Sequence, residues 1–222
     1  MLIKNVILIP ARKGSQRLKN KNILKIKNKT LVERAITFSN KIKKIDKIIV
    51  STDIKEILGL VKKYKNVYFH KRPKYLAKKT SLISTLVNHL NYIMGGQFIN
   101  IMVLQPTSPY RSSIFINQQW LKFINLKKKY KSNVSVSIGE NKEKRRFDVI
   151  DNILIDQKSK SKKKKIFYQA NGNFFFSDMN FIKKYNKFII SGKTTASIIR
   201  KKKNTIDIDT KKDYKKALRF SI

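Results

Sequence analysis

Short apolar runs and helix-spaced apolar positions take turns along the first half of the chain. Val6, Ile7, Leu8 and Ile9 form an uninterrupted run, the pattern of a strand buried on both faces. Leu31, Val32, Ala35 and Ile36 then recur at helical spacing, so the first full helix is expected from about Lys29, and residues 47–50 predict a second buried strand. Ile54, Ile57, Leu58, Val61 and Tyr64 predict the next helix, with Thr52 or Asp53 as its cap. Val67, Tyr68 and Phe69 make a short strand. Leu82, Ile83, Leu86, Val87, Leu90 and Ile93 give the cleanest amphipathic helix, before a strand at 99–104 and a helix at 114–126. This alternation predicts an α/β fold with a doubly wound, mostly parallel sheet.

The alternation stops after Val134, Val136 and Ile138. Residues 147–150 and 153–155 flank Asp151-Asn152 and read as a hairpin. The run "KSKSKKKK" at 158–165 is of low complexity and solvated. Residues 139–170 are therefore expected to leave the sheet as a small excursion from a single domain spanning 1–222. A lone hairpin cannot bury both of its faces, so Phe147, Val149, Ile153 and Ile155 need another surface. Strands return at 173–176 and 197–200, and Thr210 with Asp213 predicts a capping box for a last helix.

Composition changes this picture in two ways. The chain has 222 residues, 41% of them hydrophobic, and no cysteine. A disulfide framework and a Cys-ligated metal site are excluded, and a cytoplasmic location is expected. The apolar N-terminal stretch is too short to span a membrane, and it lacks the cleavage site of a signal peptide. With 52 Lys+Arg against 13 Asp+Glu the formal charge is +39. Such a surface attracts polyanions. The lysines, however, are spread over every predicted helix alongside abundant Ile and Asn, and no aromatic cluster accompanies the basic runs. Selected nucleic-acid binding is not expected. A basic nucleic-acid-binding protein stays the alternative from another class, marked by steep salt dependence.

Chemistry is expected where the strands end. "PARKGSQRLKNKN" (residues 10–22) follows the first strand directly. Gly14 and Ser15 allow backbone amides close to a ligand, and Arg12, Lys13, Arg17, Lys19 and Lys21 are placed to neutralise a polyphosphate. The competing reading is that any loop of so basic a chain collects lysines, and the spacing matches neither a Walker A nor a dinucleotide fingerprint. In "VSTD" (50–53) and "LQPTSPYR" (104–111), Ser51, Thr52 and Ser108 fit capping and turn chemistry, whereas the Gln105 amide suits a base or a sugar. In "TIDIDT" (205–210), Asp207 and Asp209 point to one side of an extended segment and suit Mg²⁺, unless one of them only caps the helix. His70 and His89 read as structural.

Taken in order, "IPARKGSQRLKNKNI", "IIVSTD", "KRPKYLAKKTS", "VLQPTSPYR", "NGNFFF" and "TIDIDTKKDYKKAL" resemble the acylneuraminate cytidylyltransferases, the CMP-N-acetylneuraminate (CMP-sialic acid) synthetase family, nearly end to end. The resemblance implies a nucleotide-diphospho-sugar-transferase type of sheet, a hairpin excursion exchanged in a homodimer, and Mg²⁺-dependent (or Mn²⁺-dependent) coupling of CTP to a nonulosonic acid with release of pyrophosphate. It also implies roles. Arg12 and the backbone of Lys13, Gly14 and Ser15 hold the triphosphate, Lys21 and Asn22 close that loop, and Arg12 and Lys21 stabilise the reacting phosphate. Arg72 and Thr80 lie on the nucleotide side and Gln105 between cytidine and sugar. Asn171 faces the sugar acid, and Asp207 and Asp209 bind the metal.

The chain departs from the family at three places. Ala77-Lys78-Lys79-Thr80-Ser81 replaces Ala-x-Asp-Thr-Ala, and Phe175 stands where a sugar-contacting Tyr is common. The lysine-rich run replaces an Arg-Gln-Asp-type segment, with Lys164 or Lys165 as the substitute charge. These changes bear on the sugar, which leaves 3-deoxy-manno-octulosonate, pseudaminate and legionaminate as alternatives. An inactive paralogue is also possible on these grounds, but the retained Asp207/Asp209 pair argues against it.

Overall fold

A computed structural model describes residues 4–15, 17–125, 131–139, 145–157 and 166–220. Leu126 and the run at 158–165, with Lys164 and Lys165, lie outside the described residues.

In chain order the elements are β1 (Asn5–Ala11), a one-turn 3-10 helix (Lys21–Ile23), β2 (Lys25–Ile26), β3 (Lys29–Thr30), α1 (Leu31–Ser39), β4 (Lys47–Thr52), α2 (Lys55–Val61) and β5 (Val67–Lys71). They continue with α3 (Ile83–Ile93), β6 (Asn100–Val103), α4 (Ser113–Asn125), β7 (Ser132–Ile138), β8 (Phe147–Ile150) and β9 (Ile153–Asp156). The last are β10 (Tyr168–Asp178), α5 (Met179–Tyr185), β11 (Thr195–Ile198) and α6 (Lys211–Arg219).

The period-two geometry of β1 organises two cores. Ile7 and Ile9 face a cluster containing Val32 and Ile36 of α1, Ile57 of α2 and Trp120 of α4. Val6 and Leu8 face the other side, with Leu86 and Leu90 of α3 and Ile182 of α5. Helices thus cover both faces of the sheet. The capping box of α1 fixes its start: Glu33 N–H donates to Thr30 Oγ1 at 3.1 Å and Thr30 N–H to Glu33 Oε2 at 2.8 Å.

The nine-stranded sheet runs β5-β4-β1-β6-β10-β7-β11-β9-β8. The pairs β4–β5, β1–β4 and β1–β6 are parallel, but β10 runs antiparallel to both β6 and β7. β7 and β11 pair parallel again, so among the described strands seven of nine share one direction: the sheet is mostly parallel as expected, and the departure is the reversed β10 in its middle, with β9 reversed in the hairpin.

The hairpin needs a correction. It does not leave the sheet: β9 pairs with β11 at Thr195–Ile153, and β8 returns to β10 at Tyr168–Phe147. Phe147 is 1% exposed and Leu154 fully buried, both inside the chain's own core. The surface expected from elsewhere is, for these residues, supplied within the chain. The Asp151-Asn152 turn forms as expected, with positive φ at both residues (49° and 62°).

The cap of α2 differs too. Ile54 occupies that position and its N–H donates to Thr52 Oγ1, while Asp53 turns toward the loop after β1. The capping box of α6 is present, with Asp213 N–H donating to Thr210 Oγ1 at 3.2 Å.

Candidate active site

Where β1, β4 and β6 end, a cleft of about 660 Å³ opens. Arg12, Gly14, Ser15, Lys21, Asn22, Arg72, Gln105, Asp207 and Asp209 all line it. The loop after β1 is pinned at both ends by side chains on backbone. Lys13 N–H donates to Asp53 Oδ1 at 2.7 Å, and Asn22 Nδ2 donates to the Arg12 carbonyl at 2.9 Å. Within it, Ser15 N–H bonds back to the Lys13 carbonyl at 2.7 Å, a tight turn that leaves Gly14 on the cleft wall. The loop's backbone is thus held by Asp53 and Asn22.

Arg72 enters from the end of β5 and is buried. Its Nη2 donates to the Ser51 carbonyl (2.9 Å) and its Nε to Ser51 Oγ (3.2 Å), while Ser51 Oγ lies 2.9 Å from His70 Nδ1. Ser51 and His70 are register partners on β4 and β5, which places this chain of contacts directly beneath the cleft. The Arg72 guanidinium is pushed down to about 10 by burial, an effect Asp53 offsets and Arg12 reinforces, so it stays cationic at neutral pH. Burial, with His89 and Arg72 nearby, lowers His70 to about 4, so its ring is neutral at pH 7.

The acidic pair arrives on an extended segment whose alternate residues sink into a third core. Ile206 and Ile208 are buried with Leu31 and Tyr110, which turns Asp207 and Asp209 toward the cleft. Ile208 N–H fastens this segment to the Thr107 carbonyl at 2.8 Å. Lys21 Nζ approaches Asp209 Oδ1 at 2.9 Å and Arg17 Nη2 approaches Oδ2 at 3.2 Å, so this carboxylate stands between two cations of the loop after β1.

The residues expected on the sugar side have a different origin. Along β10, Ala170 pairs with Val136 and Phe175 with Val134, five steps on one strand against two on the other. The excess forms a bulge carrying Asn171, Gly172 and Asn173. Gly172 has φ +73°, and a Cβ there would lie 2.4 Å from Gln105 Oε1, so only glycine lets Gln105 sit against this bulge. Asn173 Nδ2 donates to the carbonyls of Tyr110 (3.0 Å) and Asn204 (2.9 Å), and Ser108 Oγ to that of Asn171 (3.2 Å).

Four expected residues lie apart from the cleft. Asn171 lines an adjoining cavity of about 320 Å³ together with Asp207 and Asp209. Lys13 is exposed, and so is Thr80, although its neighbours Lys79 and Ser81 line the cleft. Phe175 packs against the core beside Phe188 and lines neither cavity. Sequence reasoning missed Asp53, the Ser51–His70 pair, Asn173 and Arg111. The two histidines, expected to be structural, lie close together: their rings are 5.4 Å apart and Tyr75 Oη is 3.1 Å from His89 Nδ1. Strand register brings these groups together, and no local spacing announces it.

A cation-lined cleft, with two carboxylates opposite, at the carboxyl ends of parallel strands belongs to nucleotide-handling α/β proteins. The chain belongs to the family described as Cytidylyltransferase, whose profile matches residues 6–221. It is similar to the N-acylneuraminate cytidylyltransferase of Escherichia coli O18:K1:H7, at 27% identity over 98% of this chain and 52% of that protein. It is 36% identical to the CMP-N,N'-diacetyllegionaminic acid synthase of Legionella pneumophila over 47% of this chain and 46% of the other. The chain thus spans about half the length of these curated relatives. Among solved structures it resembles a CMP:2-keto-3-deoxy-manno-octonic acid synthetase complexed with CTP, with a TM-score of 0.73, 14% identity and 98% of each chain covered. That likeness establishes the fold, of nucleotidyltransferase α/β type. Among the described residues no helix is long and apolar enough to cross a membrane.

Proposed function

We propose that the chain transfers CMP from CTP to a nonulosonic acid, N-acylneuraminate or a close relative, releasing pyrophosphate. The observation that carries this reading is the convergence of Arg12, Lys21 and Arg72 with Asp207 and Asp209 on one cleft. The sugar's anomeric hydroxyl attacks the α-phosphorus of CTP, a new P–O bond forms, the bond to pyrophosphate breaks, and the hydroxyl proton passes to solvent. Arg12 and Lys21 stabilise the charge that develops on the phosphate oxygens, the dominant contribution in such transfers. Gln105, braced against Gly172, reads the cytidine–sugar junction, and Asn171 faces the acid.

The donor set fits Mg²⁺, with Mn²⁺ as substitute. Among the described residues no group of three or more His, Cys, Asp or Glu is placed to hold a metal. Two carboxylates alone leave the remaining positions to water and substrate phosphate, as Mg²⁺ prefers. When bound by Asp207 and Asp209, the ion would neutralise phosphate charge. The reading includes a cytoplasmic location and a homodimer. The exposed Ile138 and Ile150, on β7 and at the hairpin, are what still ask for a partner surface.

Pyrophosphate release tests this. CTP and a panel of N-acylneuraminate, legionaminate, pseudaminate and 3-deoxy-manno-octulosonate should give turnover with one acid, dependent on Mg²⁺ and abolished by chelator. Asp209→Asn should raise the Mg²⁺ requirement steeply. Turnover in excess chelator would remove the metal, and no turnover with any acid would remove the reaction.

A further inference from the structure

The loop that joins β6 to α4 is a partition. Gln105, Pro106 and Thr107 line the candidate active site, while Pro109, Tyr110, Arg111 and Ser112 line a second cleft, of about 820 Å³. Seven of that cleft's 17 lining residues are Lys or Arg and none is Asp or Glu. At the chain's overall frequency of 52 in 222, about four would be expected. The difference from the first cleft is qualitative: there the cations face Asp207 and Asp209, and here no carboxylate lines the wall.

The way these cations are held reinforces the point. The Arg34 guanidinium lies 5.4 Å from the Tyr110 ring centre and Lys203 Nζ 4.7 Å from the same ring, while Arg111 sits 5.7 Å from the Phe38 ring. Arg111 Nε donates to the Asn173 carbonyl at 2.9 Å and Nη2 to the Gln105 carbonyl. Aromatic faces and backbone carbonyls position the charges without neutralising them. A buried donor on this wall, Arg34 Nε, has no hydrogen-bond partner among the described residues. Burial lowers Arg111 to about 9, with Asp207 opposing and Arg34 adding to the shift. The buried Arg34 Nε is left without an acceptor, a cost that an anion at this guanidinium relieves. Phe38, Phe115 and Ile199 provide an apolar wall beside them.

We infer that this second cleft binds an organic polyphosphate of nucleotide size, separately from the candidate active site. Its phosphates engage Arg34, Arg200 and Lys203, and its flat or apolar part lies on Phe38 and Phe115. Because Arg111 also holds the Gln105 carbonyl, occupancy of this cleft stiffens the loop shared with the active site.

Calorimetric titration with ADP, at about 0.15 M salt where the screening length is near 8 Å, tests the inference without the transfer reaction. Wild-type protein should show two sites. Arg12→Ala with Arg72→Ala should remove one of them. Arg34→Met with Lys203→Met should weaken the other by on the order of tenfold or more, with the first retained. Lys203→Gln alone, at a partly exposed position, gives the same direction if the double variant fails to fold. Lys62→Gln with Lys63→Gln, two exposed cations in the turn after α2 that line neither cleft, should change neither site. Equal losses from that control pair would reduce the effect to general charge and overturn the site. So would two unchanged sites in Arg34→Met with Lys203→Met. Pyrophosphate binding as tightly as ADP would overturn the organic part of the ligand. Single-stranded RNA outcompeting ADP stoichiometrically would reassign the surface to a polymer. Failure of the Arg12 and Arg72 arm alone would count against the proposed function and leave this inference standing.

Discussion

The two halves of the sheet build their share of the candidate site by different means. In the β5-β4-β1-β6 half, the strands are parallel and groups arrive where strands stop: the loop after β1, Ser51 on β4, Arg72 after β5 and Gln105 after β6. In the other half β10 runs antiparallel, and its contribution comes from a mid-strand bulge held by Asn173 and Ser108. Strand ends can change residues at little cost to the sheet. A bulge inside a core strand is tied to the shape around it. Substitutions in the first half should act on binding and catalysis, those in the second on stability.

The largest test of that contrast is Phe147→Ala. The ring is buried where the hairpin closes onto β10, so removal should cost about 3–5 kcal/mol in urea denaturation. A loss under about 1 kcal/mol would make the hairpin an appendage and erase the contrast. Arg12→Ala should leave stability intact and lower kcat/KM by about 2–4 kcal/mol of transition-state binding, roughly 30- to 1,000-fold. Wild-type turnover by this variant would sink the placement of the phosphates.

Next is a pH effect confined to the parallel half. His70 is lowered to about 4 when folded, against an ordinary 6.5, chiefly by burial, with His89 and Arg72 adding to it. The unfolded chain therefore binds more protons between those values. Stability should be full above about pH 6.5 and fall as pH drops toward 4, by at most about 3 kcal/mol. His70→Gln should flatten that window, and an unchanged pH profile would place the origin elsewhere. Smallest is Ser51→Ala, which removes the Nε partner of Arg72 but leaves the carbonyl that holds Nη2. KM for CTP should rise about 5- to 30-fold (1–2 kcal/mol) with kcat little changed. A fall in kcat alone would argue that Arg72 acts on the reacting phosphate.

The same contrast explains what the sequence made legible. Runs such as residues 6–9 and the helix-spaced Leu86, Val87 and Leu90 report burial directly, and the parallel half follows from them. The Asp207/Asp209 alternation was equally readable, because Ile206 and Ile208 mark the buried side. The reversal of β10 was not, since an antiparallel and a parallel buried strand share one apolar pattern. Nor was the hairpin's return to the sheet, which depends on two pairings between positions far apart in the chain, Tyr168–Phe147 and Thr195–Ile153. Phe175 shows the limit of position matching. It falls within the expected motif, but the register that pairs it with Val103 leaves it against Phe188 in the core.

The return of β8 to β10 also decides how copies of this chain can associate through backbone pairing. One side of the main sheet ends in β5, whose outer hydrogen-bonding groups have no neighbouring strand. The other side curls round and is fastened at Tyr168–Phe147, leaving a four-residue strand bent away from any straight continuation. Fibrous growth by strand addition needs a template at both ends of every unit. Among the described residues β5 is the edge left wholly open, whereas β8 is tied to β10 at one residue pair, so edge-to-edge joining of two β5 strands about a two-fold axis would leave only a short, partly closed edge for further growth. For a chain crowded with lysine and rich in isoleucine, strand curvature then limits polymerisation in a way that salt cannot screen.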